Sequence, residues 1–166
     1  MSNNHHRDLI RLLSGLRETL DTLFVTCGQI SAEAAELLLQ RLLLGLELLW
    51  KLEEQVLMPA LQRAAPEWAP DVAAGAQEIE VMRDLSLRLQ DRRLPDPGIG
   101  LGALEGVVRL HWLRSDELLA RAAQRELDWR ALHDEVQGLL ARWGEEIRAH
   151  GEIEDEERDP VGLPPR

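Results

Sequence analysis

Leu43, Leu46, Glu47, Trp50, Glu54, Leu57 and Leu61 fall on one stripe of a single helix, spaced so that each side chain stands over the turn before it. No other feature constrains the fold as much. An apolar face of that length has to be covered by other helices. A carboxylate in its middle is costly unless a partner reaches it. A metal ion or an imidazole from a neighbouring helix would be such a partner.

The rest of the chain points the same way. Its 166 residues suit one ordinary domain, and 45% are hydrophobic, enough for a sizeable core. Leucine and alanine dominate, tyrosine is absent and there is one phenylalanine, a composition that favours helix over sheet. The formal net charge of −11 repels phosphate backbones and anionic lipid heads, which argues against nucleic acid and membrane partners. A protein partner or a second copy of the chain is expected instead. The lone cysteine, Cys27, cannot close an internal disulfide, and a reducing cytoplasm is the expected location. The stretch Met1–Asp8 lacks the apolar core of a secretory signal. The apolar run Leu37–Leu44 is interrupted by Gln40 and Arg41 and followed by Glu47, too short and too charged to span a bilayer.

Helical periodicity divides the chain into five long segments. The first runs from about His5 to Cys27, with Leu9, Leu13, Leu16, Leu20 and Leu23 inward and Gly28 as its stop. The second runs from an N-cap at Ser31 to about Ala64, with Pro59 expected to kink its end. After a Pro66–Pro70 loop, a third covers about Asp71 to Arg92 with Ile79, Met82, Leu85 and Leu89 inward. The proline- and glycine-rich segment Leu94–Gly102 reads as irregular, and a fourth helix follows from about Ala103 to Arg125. Asp128 caps a further helix, Trp129 to His150, with Leu132, Val136, Leu139, Leu140, Trp143 and Ile147 on its apolar face. These make an all-α fold: an antiparallel four-helix bundle plus an extra C-terminal helix that covers the bundle or pairs with another subunit. Residues 1–150 form one domain, and 151–166 an acidic, proline-rich tail that reads as disordered. Trp112, Trp129 and Trp143 are expected where the fourth and last helices meet. Aromatic enrichment at interfaces suggests a dimer through the last helix.

The inward polar residues are His6, Glu47, Glu54 and His111, with Ser115 one turn beyond His111 and Asp116 beside it. Glu53 reads as the polar flank. Catalytic constellations are not visible: there is no nucleophilic triad and no zinc-type cysteine cluster. Gly98, Gly100 and Gly102 lack the preceding strand of a phosphate-binding loop. The expected function is therefore not enzymatic.

These residues resemble the hemerythrin-like, cation-binding family. Trp50-Lys51-Leu52-Glu53-Glu54-Gln55-Val56-Leu57-Met58 is similar to its signature H-F-x-x-E-E-x-L-M, with tryptophan in the histidine slot. His111-Trp112-Leu113-Arg114-Ser115-Asp116 matches its fourth-helix pattern H-x-x-x-x-D, whereas the bacterial variant H-x-x-x-E would need an acid at Ser115. His6-Arg7-Asp8-Leu9 resembles the first helix. Glu78-Ile79-Glu80 resembles the third, with Ile79 in a histidine slot and a further histidine missing near Gly75.

The resemblance, over about residues 5 to 125, implies a non-haem iron bundle for oxygen binding or for iron or redox sensing. In this chain Trp50 and Ile79 replace nitrogen ligands, and what survives as a metal set is His6, Glu54, His111 and Asp116. The expectation is a bundle with a decayed metal site, acting as a non-enzymatic binding, regulatory or assembly protein with no cofactor. The alternative is an iron protein, mononuclear or di-iron, holding its metal through those residues. A third possibility is a small-molecule pocket between Trp50, Ile79 and His111.

Overall fold

In a computed structural model the chain is all-helical. The structure describes residues 2–29, 32–91, 93 and 96–156, and no strand occurs among them. Helix α1 spans Ser2–Cys27 and α2 Ala32–Leu52. A π-helical turn, Glu53–Leu57, continues without a break into α3, Met58–Ala64. A 3-10 turn at Pro66–Trp68 leads into α4, Ala69–Gln90; α5 is Pro97–Ala122 and α6 Trp129–Glu156. None of the described helices is long and apolar enough to cross a membrane.

The π turn is a local consequence of Pro59. In a continuous α-helix proline cannot donate to the carbonyl of Gln55, and its ring would collide with it. Widening the preceding turn relieves the collision: the Met58 N–H reaches back five residues to the Glu53 carbonyl. The expected kink is thus absorbed as a bulge. Its effect is on facing. Trp50, Glu53, Val56, Leu57, Ala60 and Leu61 are buried, whereas Glu47 and Glu54 are only half-buried.

Other boundaries also move. The glycine-rich segment read as irregular is helical from Pro97 onward. Asp96 caps it, its Oδ1 accepting from the backbone N–H of Gly98 at 2.8 Å and Ile99 at 3.2 Å. Pro97 then supplies the first helical residue, where its missing N–H costs nothing. This cap outweighs the poor propensity of Gly98, Gly100 and Gly102. At the other end α6 runs to Glu156, so residues 151–156, read as tail, are helical. Glutamate, at 152, 154 and 156, is a good helix former and extends the segment. The tail residues 157–166 and the Ser31 cap lie outside the described residues. Asp128 caps α6 as expected, accepting from the Ala131 N–H at 3.0 Å.

Side-chain contacts fix the directions. Arg17 of α1 meets Glu53, and Leu20 packs where Gly45 leaves room, so α1 and α2 are antiparallel. Glu47 meets Arg83 and Met58 faces Gly75, which reverses α4 against α2 and α3. Glu78 meets His111 and Asp71 meets Arg121, which reverses α5 against α4. Asp21 meets Arg109, and Arg17 meets Asp116, which closes α5 back onto α1. Helix α6 packs against α1, α2 and the π turn, with Trp129 edge-on to His6 at 4.5 Å between ring centroids. Trp112 therefore does not face α6 as expected; it lies against α1, 5.8 Å from the Arg17 guanidinium. Trp129, Leu132, Val136 and Leu139 are buried within the chain itself. The first part of the last helix's apolar stripe thus packs within the chain, while Leu140 and Trp143 are half-buried.

Candidate functional site

The centre of the molecule holds a chain of charged groups in an otherwise leucine-rich core. His111, 2% exposed, and Glu53, 1% exposed, stand on α5 and the π turn. The His111 Nε2 lies 2.5 Å from Glu53 Oε2, and its Nδ1 lies 2.9 Å from Glu78 Oε2. Both ring nitrogens are thus engaged by carboxylates from two different helices. Arg17, also buried, donates from Nη2 to Glu53 Oε1 at 3.5 Å and to Ser115 Oγ at 3.1 Å, while its Nη1 pairs with Asp116. Arg114 pairs with Glu78 from the solvent side. The result is a relay Asp116–Arg17–Glu53–His111–Glu78–Arg114 linking α1, the π turn, α4 and α5. In it every buried charge has a partner of opposite sign or a hydrogen bond, the condition under which burial is tolerated.

The residues read from the sequence separate into different neighbourhoods. Glu54 lies outside the relay. It and Glu47 clasp Arg83, with Glu54 Oε2 at 2.8 Å from Nη2 and Glu47 Oε2 at 3.0 Å from Nε. Hydrogen bonds from Glu54 and then Glu47 raise the Arg83 guanidinium further above its ordinary value. The inward carboxylate is Glu53, one residue earlier and about 100° around the helix from Glu54, on the side shared with the buried Leu49, Trp50 and Val56. His6 meets Trp129 edge-on, and its buried Nε2 has no hydrogen-bond partner among the described residues. Asp116 and Ser115 do join His111, but through Arg17. Trp50 and Ile79 are buried, at 1% and 0% exposure, as read from the sequence.

Such a geometry does not suit the alternative, an iron site. Two ligands of one divalent ion, each about 2.1 Å from it, sit roughly 3 Å or more apart. The 2.5 Å between His111 Nε2 and Glu53 is a direct hydrogen bond. Guanidinium groups, which cannot be ligands, cover Glu53, Asp116, Glu78 and Glu54. Trp50 and Ile79 supply no donor. Among the described residues no group of histidine, cysteine and acidic side chains is arranged around a common point for an ion.

A cavity of about 400 Å³ opens beside this relay. Glu53, Glu78 and His111 form its floor, Leu57, Leu61, Val72 and Leu118 its walls, and Asp71, Arg114, Glu117 and Arg121 its rim. Gly75 keeps it open: a Cβ there would stand 3.0 Å from Met58 Cε and 3.9 Å from His111 Cε1. Trp50 and Ile79 do not line it. Trp50 instead borders a separate cleft between α2 and α4, with Arg83 and Ser86. The pocket expected between Trp50, Ile79 and His111 is therefore displaced toward α3 and α5, because those two side chains pack solidly.

Sequence reasoning missed Arg17, Glu53 and Glu78. Arg17 sits on the buried stripe Leu9, Leu13, Arg17, Leu20, Phe24, Cys27. The available signal was its heptad-like spacing, which serves Arg17 as well as Leu16. No family model, no curated protein and no solved structure matches the chain.

Proposed function

We propose that the chain is a hemerythrin-like four-helix bundle, formed by α1, α2 with α3, α4 and α5 and covered by α6. In it a guanidinium–carboxylate–imidazole relay has replaced the metal centre. On this reading it is a non-enzymatic binding or regulatory protein of the cytoplasm, working through a protein partner, a second copy or a small ligand. One observation carries the reading: Arg17 enters from the first helix and holds Glu53, while His111 gives both ring nitrogens to carboxylates. A cation supplied by the protein compensates the buried carboxylate, which removes the need for a metal. The buried, lone Cys27 is in keeping with a reducing compartment.

The test is metal content. Protein purified without chelator under anaerobic conditions, then offered ferrous iron and desalted, is expected to carry far less than one equivalent per chain. Its melting temperature should be indifferent to chelator. Stoichiometric iron that is lost in Glu53→Ala and His111→Ala would instead establish the iron-binding alternative.

A further inference from the structure

The floor of the cavity at His111 is made of acceptors. An ionised carboxylate has only lone pairs to offer, about four positions each. Glu53 spends part of them on His111 and Arg17, and Glu78 spends part on His111 and Arg114. His111 has no nitrogen left for a guest. A molecule entering between Leu57, Leu61, Val72 and Leu118 therefore meets apolar walls and then carboxylate oxygens. It has to bring hydrogen-bond donors. A guest carboxylate would find cations only at the rim, in Arg114 and Arg121, and is repelled by the two like charges of the floor.

Arg114 shows how such a guest is accommodated. Its side chain is 56% exposed, whereas the Glu78 it pairs with is 17% exposed. Such a guanidinium can swing into water at small cost, leaving Glu78 to another cation. We propose that the cavity is a binding site for a small primary amine with a compact apolar body. Its ammonium group takes the place of Arg114 on Glu78, and its hydrocarbon part lies over Gly75 between α3 and α5. The chain's net charge of −11 favours the approach of a cation. This inference rests on the reading of the protein as a metal-free binding bundle and names its ligand class.

Calorimetric titration of the full chain with hexylamine, hexanol and hexanoate tests it. Hexylamine is expected to bind about tenfold or more tightly than hexanol, since only its ammonium forms an ion pair with Glu78, and hexanoate not to bind. Arg114→Ala removes the competing cation and should tighten hexylamine binding severalfold. Glu78→Gln should weaken it about tenfold or more. Arg114 lies at the rim, so its variant tests the site even where Glu78→Gln fails to fold. Equal or better binding of hexanoate, no tightening in Arg114→Ala, or no binding of hexylamine to either protein overturns the proposal. With iron absent, those results remove the amine and leave the metal-free reading standing. Stoichiometric iron removes the reading beneath it.

Discussion

Replacing Arg17 by leucine isolates the central pair of the relay. Arg17 is 7% exposed and Glu53 1%, so the variant leaves a carboxylate in the core. Breaking a buried pair from one side costs about 3–5 kcal/mol. Here His111 still holds Glu53 at 2.5 Å, which places Arg17→Leu near the lower end, at about 3 kcal/mol. Glu53→Leu strands Arg17 less completely, because Asp116 and Ser115 remain, and costs about 2–3 kcal/mol. In the double variant neither charge is left to be compensated. Its loss should fall short of the sum of the single losses by about 2 kcal/mol. Urea denaturation followed by circular dichroism gives all four stabilities. A loss of 3 kcal/mol would also lower the melting temperature by about 6–12 °C in a chain of this size. Additivity within about 0.5 kcal/mol would show that Arg17 and Glu53 do not act as a pair, and the reasoning would fail.

Other outcomes follow from separate places in the fold. Gly45→Ala should destabilise by about 1–3 kcal/mol in the same assay despite the better helix propensity of alanine. The added Cβ would sit 2.6 Å from Leu20 Cδ2. Asp96→Ala removes the cap of α5 and should cost about 1 kcal/mol, with faster amide exchange at Gly98 and Ile99. Arg83→Met breaks a clasp that is partly solvent-exposed and should cost no more than about 1 kcal/mol. Burial raises the Cys27 thiol above its usual 9.0, so the stability contributed by the neutral thiol is complete below that value. It is lost as pH rises through the elevated one. The melting temperature should decline above about pH 9, and Cys27→Ala should flatten that decline.

The helices were legible because apolar residues recur at helical spacing through nearly the whole chain. The pairing of α5 with α4 was not, because it rests on Glu78 and Arg121, polar residues that resemble any surface charge. The site was half legible. His111 stood out as a histidine on an apolar face, and Trp50 and Ile79 were correctly turned inward. Glu53 and Glu54 are adjacent and chemically identical, so only the angle of the buried stripe decides between them. Glu53 continues the buried set Leu42, Leu46, Leu49 and Trp50 that precedes the widened turn. Arg17 was hidden by Leu16, its neighbour. Its role depends on groups 36 and 99 residues away, which no local pattern encodes. The helical start at Pro97 was obscured by glycines whose unfavourable propensity a single aspartate cap outweighs.

A crystal structure of the natively purified protein, with anomalous data at the iron edge, tests the central claim most directly. The account predicts guanidinium density between Glu53 and Asp116, and no anomalous scatterer at His111. A strong peak bonded to the His111 Nε2, with Arg17 turned away from Glu53, would contradict it.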